Sequence, residues 1–193
     1  MSRKPRQSAN VFVALLRGVN VGGNNMISMS ALKNSFTATG FQDVTTYINS
    51  GNIVFKTKET DPRKLELEIE KLLAREYKLD AKVIVRSLAE MEQLVKHLPP
   101  GWDSDRDWRY NVIFLRHTID SQEILQDLPV REGIEEVIYV PGTLLWSARR
   151  DEVNGSEMLK FASRKLSREL TTRNTNTTRK LLAMMTKAAE TGA

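Results

Sequence analysis

Cysteine is absent from the 193 residues, which excludes disulfides and thiolate-held metals and gives no reason to expect an oxidising compartment. Long apolar runs are absent as well. The stretch Val11 to Leu16 follows a basic start, "MSRKPRQSAN", but is too short for the apolar core of a secretory signal. Nothing approaches the roughly 18 apolar residues of a membrane span. The expectation is a soluble cytoplasmic protein without a membrane partner, with residues 1–10 as a basic disordered tail. Histidine is scarce: His97 and His117 have no acidic or histidine neighbour at ligand spacing and read as structural. No Ser-His-Asp set, pair of catalytic carboxylates or metal cluster can be assembled from spacing, so neither a metal nor a cofactor is expected. "DSDRD" sets Asp103, Asp105 and Asp107 at alternate positions, but Trp108 and Phe114 stand where a calcium loop needs Gly and Glu. It reads as a polar loop anchored by Trp102 and Trp108.

What is present is an ordinary globular composition, 40% hydrophobic and 27% charged, with an uneven spread of charge. Residues 1–99 carry 15 Lys/Arg against 10 Asp/Glu, residues 100–152 carry 6 against 11, and residues 153–193 carry 8 against 3. A local excess of one sign attracts a charged partner whatever the total, and a solvated basic face is the plainer alternative.

The first half has a readable order. "VFVALLR" is a short β-branched run and predicts a buried strand. Ser28 or Ser30 predicts a helix cap, with Met29, Leu32 and Phe36 on one face. "VTTYINSGNIVF" predicts two strands around Ser50-Gly51. Asp61-Pro62 opens a helix with Leu65, Ile69, Leu72, Leu73 and Tyr77 inside and Glu66, Glu70, Lys71 and Arg75 outside. "AKVIVR" is a further strand, giving βαββαβ, the ferredoxin-like arrangement. Ser87 and Glu90 predict a capped linking helix, which completes a first half at 11–98. "PPGWDSDRDWRY", 99–110, breaks both periodicities and reads as a linker. The second half, 111–193, repeats the pattern in modified form: "NVIFLRH", the short helix "SQEILQDL", "EVIYV" and "TLLWSAR" joined at Pro141-Gly142, and a helix from Met158 to Leu166. Where a last strand would complete the repeat there is only "TTRN", then a C-terminal helix carrying Leu181, Leu182, Met185 and Ala189. The fold class expected is α+β, two ferredoxin-like halves with a C-terminal helix.

Two polar stretches stand out. In "LLRGVNVGGNNMISMSALK" the spacing from Gly18 to Gly23 is that of a P-loop, but Asn24 and Asn25 replace the lysine and hydroxyl that such a loop uses. The dinucleotide fingerprint also fails. What survives is a glycine-rich turn before a helix, a generic setting for an anion, with Arg17, Asn20, Gly22, Gly23 and Asn24 as candidate ligand-binding residues. The alternative is a turn that needs positive φ and nothing more. In "TTRNTNTTRKL", Asn174 or Thr175 can cap the last helix. Arg173, Arg179 and Lys180 bring positive charge to a helix start that would favour the opposite sign. Arg173, Asn174, Asn176 and Lys180 complete the candidate set.

"ALLRGVNVGGNNMISMSALK", "YINSGNIVF" and "TTRNTNTTRKL" together resemble the uncharacterised bacterial proteins known as domain of unknown function 1697. The resemblance spans roughly residues 11 to 185. It implies two ferredoxin-like halves and brings no activity. The family usually has an aromatic where this chain has Thr175. The loop after the first strand and the hairpin at Ser50-Gly51 are expected at opposite ends of their sheet. The Gly18 loop is then expected to meet the Arg173 segment, with Ser50-Gly51 structural. The leading functional expectation is a binding module for a phosphate-bearing anionic ligand, nucleic acid among the candidates. The alternatives are an enzyme on a small anionic substrate at the same residues, or a protein-interaction module whose motifs are structural. Against RNA binding by the sheet face, the strands lack the aromatic pattern used for base stacking.

Overall fold

The computed structural model describes residues 10–20, 26–158, 160, 166 and 168–191. By their internal contacts the residues form two compact units, one of Met1–Leu88 with Leu181–Ala193 and one of Ala89–Lys180.

The first unit runs β1 (Asn10–Leu16), α1 (Met29–Ala38), β2 (Gln42–Tyr47), β3 (Asn52–Thr57), α2 (Pro62–Tyr77) and β4 (Val83–Ser87), the predicted βαββαβ order. The four strands form one antiparallel sheet in the order β2-β3-β1-β4. One face packs Phe12, Ala14, Leu16, Ile53, Phe55, Val83 and Val85 with Leu32 and Phe36 of α1 and Leu65, Ile69, Leu72 and Leu73 of α2. Val13, Leu15, Val54 and Ile84, which alternate with these, are buried too. That is why "VFVALL" shows an unbroken apolar run where a half-exposed strand would alternate. Ser28 caps α1, and Asp61 caps α2 by accepting from the Arg63 N–H at 2.9 Å, with Pro62 in the first turn.

Two expectations need correcting here. Glu66 does not face solvent: it is 3% exposed, and its Oε1 accepts the N–H of Val85 at 3.1 Å, while Glu70 accepts that of Val83 at 3.1 Å. β4 is an edge strand, so its outward amides need acceptors. Four residues of helix rise about 6 Å and two of strand about 6.6 Å, so carboxylates at i and i+4 match amides at i and i+2. The second correction concerns the two polar turns of this unit. The β1–α1 loop and the β2–β3 hairpin lie at the same end of the sheet, not at opposite ends. β1 and β3 are antiparallel with Leu15 opposite Asn52, so the end of β1 abuts the start of β3.

The second unit contains most of α3 (Leu88–Lys96), then β5 (Trp108–Leu115), a 3-10 turn (Gln122–Asp127), β6 (Glu135–Val140), β7 (Thr143–Arg149), a second 3-10 turn (Val153–Gly155) and β8 (Leu170–Asn174). Its sheet order, β6-β7-β5-β8, is the order of the first sheet strand for strand. β5 begins at Trp108, inside the segment read as a linker, because Trp108 to Tyr110 pair with Ser147 to Arg149. The "TTRN" stretch is not a substitute for a last strand. It is that strand, pairing with β5 from Asn111 to Leu115, and its Thr-rich polarity hid it. The predicted helix from Met158 to Leu166 falls mostly outside the described residues. The last helix, α4 (Thr175–Glu190), follows β8 without a break. Its first turns belong to the second unit, and from Leu181 onward it belongs to the first. No described helix is long and apolar enough to cross a membrane.

Candidate anion-binding site

Three chain segments converge where β1 ends. The Leu16 N–H donates to the Gly51 carbonyl at 2.8 Å and the Arg17 N–H to the Lys82 carbonyl at 3.1 Å. A side chain on Gly51 would stand 2.7 Å from Leu16 Cβ, so the hairpin reaches β1 only because that residue has none. Gly18 differs. Its φ is +66°, and among the described residues, its chain neighbours aside, nothing lies within 4 Å of where a Cβ would be. The Arg17 guanidinium is half-buried, and desolvation lowers its pKa from the ordinary value. Arginine nonetheless keeps its charge at neutral pH.

Asn20 turns the loop and holds it. Its Nδ2 donates to the carbonyls of Ile27 and Asn49, each at 2.9 Å, and its Oδ1 accepts the Ile27 N–H at 2.7 Å. Both amide hydrogens are thereby used on the protein itself, so Asn20 is a latch between loop and hairpin. Gly22, Gly23 and Asn24 lie outside the described residues. Two apolar side chains are exposed beside the latch, Met26 (72%) and Ile48 (51%). Ile48 has φ of +48°. A β-branched residue in the left-handed region is a backbone outlier that costs on the order of 1–3 kcal/mol.

The second predicted segment lies in the other unit. Arg173 is on β8, 8% exposed, and its Nη1 donates to Thr171 Oγ1 at 2.9 Å and to the Thr172 carbonyl at 2.8 Å. Burial pushes its pKa down to about 10. Asn174 Oδ1 caps α4 by accepting the Thr177 N–H at 2.7 Å. Thr175 is buried and accepts from Trp102 Nε1 at 3.0 Å, and Trp102 packs edge-on against Tyr110. Asn176 and Lys180 are exposed. Arg179 lies 3.8 Å from Asp103.

Sequence reading missed Arg86. It occupies on β4 the register position that Arg173 occupies on β8, opposite Val13 and Val112 respectively. Each arginine donates to the carbonyl of the residue before it, Arg86 to Val85 at 2.9 Å. The sheet orders coincide, and so do the bonds at the ends of β1 and β5. Leu115 donates to Gly142 as Leu16 does to Gly51, and Arg116 to Glu169 as Arg17 does to Lys82. Asp120 ties the loop after β5 to the β6–β7 hairpin by different bonds, its Oδ1 accepting from the Gly142 N–H at 2.8 Å and the Tyr139 hydroxyl at 2.9 Å. The repeated "LLR" and "FLR" endings were the signal that could have found these pairs.

The family model described as "Protein of unknown function (DUF1697)" matches residues 9–146. The chain belongs to that family. The match takes in the Gly18 loop and the Ser50-Gly51 hairpin, while the Arg173 segment lies beyond it. No curated protein matches. Among solved structures, a conserved bacterial protein of Streptococcus pneumoniae is similar at 25% identity, covering 92% of this chain and 99% of that one, with a TM-score of 0.79. The acetolactate synthase small subunit of Thermotoga maritima is 19% identical, covering 86% of this chain and 96% of that one, with a TM-score of 0.22, a likeness that carries no argument.

Proposed function

We propose that this DUF1697 protein is a binding module for a phosphate-bearing anion, held at the end of the first sheet where Arg17 and Gly18 leave β1. The observation that supports the reading is a half-buried arginine followed in the chain by a left-handed glycine, where a Cβ would meet nothing within 4 Å among the described residues. Charge supports it. The first unit carries 15 Lys/Arg against 9 Asp/Glu, the second 14 against 15, so an anion is drawn to the first. Asn20 acts by fixing the loop.

The test is a thermal-shift panel of inorganic phosphate, sulfate, nucleotides, single-stranded RNA and duplex DNA, each with and without magnesium. A ligand at about a hundred times its Kd adds roughly 2.7 kcal/mol, a rise of about 5–10 °C for a chain of this size. Arg17→Gln is expected to abolish the shift and leave the unliganded midpoint in place. A panel with no shift, or one that Arg17→Gln does not alter, would overturn the proposal.

A further inference from the structure

We propose that β6 of the second unit is a docking edge for a second copy of this chain, the two copies pairing β6 with β6 antiparallel. The edge lies in a different unit from Arg17. An edge strand offers a row of unpaired N–H and C=O groups, and folded proteins close such rows with charges, bulges or covering elements. Both edges of the first sheet are closed in this way. Glu66 and Glu70 accept outward amides of β4. β2 breaks its register with β3 between Gln42 and Thr45, where Asp43 has φ of +50°. β6 has neither device: it pairs with β7 from Glu135 to Val140 without a shift.

The hydrogen bonds at its start show which groups face outward. Ile134 accepts the Arg149 N–H at 3.1 Å, while the Glu135 N–H turns away from β7 to the Arg131 carbonyl at 2.9 Å. Backbone direction alternates along an antiparallel strand, so Val137 and Tyr139 face outward as well. Among the described residues neither outward N–H has a partner. The Val137 and Tyr139 side chains pack against the core of their unit, and Ile138 between them lies on the opposite face, 41% exposed. A two-fold axis through Ile138 makes this edge complementary to itself. Val137 then exchanges main-chain hydrogen bonds with the partner's Tyr139, and Ile138 meets the partner's Ile138 as a close, non-hydrogen-bonded pair. An axis at Tyr139 would set Val137 against Pro141, which has no N–H. One at Val137 would set Tyr139 against Glu135, whose N–H is already used. With the axis at Ile138, the exposed Glu136 falls opposite the partner's Val140. The two Glu136 residues then stand about 14 Å apart along the strands, beyond the roughly 8 Å screening length at physiological salt. The second unit is close to neutral, 14 Lys/Arg against 15 Asp/Glu, so two copies meet there without net repulsion. A single strand pair buries little surface, and the dimer is accordingly weak and concentration-dependent.

The experiment is sedimentation equilibrium of the full chain at concentrations from about 1 μM to about 1 mM. Wild type is expected to pass from monomer to dimer within that range. Ile138→Lys and Ile138→Glu each set like charges opposite one another across the axis, and each is expected to weaken association at least about tenfold. Ile138 is exposed, so both variants are expected to keep the wild-type melting midpoint. An equimolar mixture of the two sets lysine opposite glutamate and is expected to restore the dimer. A wild type that stays monomeric at about 1 mM overturns the proposal and leaves the edge to a strand of another protein. A dimer that Ile138→Lys does not weaken, or one lost in both variants and not restored by mixing them, overturns it as well.

Discussion

Ile48 in the β2–β3 hairpin and Asn20 in the loop latched to it bear on stability with opposite signs. Ile48 spends backbone energy in the left-handed region, so Ile48→Asn is expected to raise the unliganded melting midpoint by about 2–4 °C, the equivalent of roughly 1 kcal/mol recovered. Differential scanning calorimetry reads this directly, and a fall in midpoint would show that the isoleucine earns its place through packing. Asn20→Ala removes three hydrogen bonds and strands the Ile27 N–H. A cost of about 1–3 kcal/mol follows, seen as a lower urea midpoint at unchanged slope. Of the residues singled out from sequence, Asn20 shows why a polar residue in a glycine-rich loop is ambiguous. An amide that donates to main chain and one that donates to a ligand are written with the same letter. Arg173 is similar: its place on a buried strand depended on pairing with β5, which no local pattern encodes.

At the scale of the element, α2 shields the edge of β4 through Glu66 and Glu70. Glu66→Ala is expected to cost about 1–3 kcal/mol and Glu66→Gln much less, because the glutamine oxygen can still accept from Val85. Hydrogen exchange at the Val85 amide distinguishes the two: faster in the alanine variant, near wild type in the glutamine one. Helices with strong period, α1 and α2, were legible in the sequence, since the spacing of Leu65, Ile69 and Leu72 admits little else, and β1 was legible as a short, unbroken apolar run. Glu66 was misassigned because a carboxylate one position off the apolar stripe ordinarily faces water. Only the position of β4 tells it to turn inward. β8 was missed for the converse reason. Its five residues, "LTTRN", are polar, and a polar strand lacks the alternation by which strands are recognised. The repeat in "LLR" and "FLR" was the one clue that a fourth strand had to follow.

At the scale of the whole molecule, the first unit is discontinuous. It takes in Leu181–Ala193, where Leu181 and Met185 are fully buried. A chain ended after Lys180 loses both, at about 1.5–3 kcal/mol for each buried side chain. The expected result is a melting midpoint lowered by several degrees, with hydrogen exchange in β1 to β4 accelerated. Unchanged exchange there would mean that the C-terminal segment adds nothing to the first unit. This discontinuity also sets a timetable for biogenesis. A ribosome adding about 5–20 residues per second needs roughly 5–20 s to pass from Leu88 to Leu181, far longer than the microseconds in which a hairpin forms. The nascent first sheet is thus synthesised complete and then waits, still tethered, for the last residues of the chain to emerge.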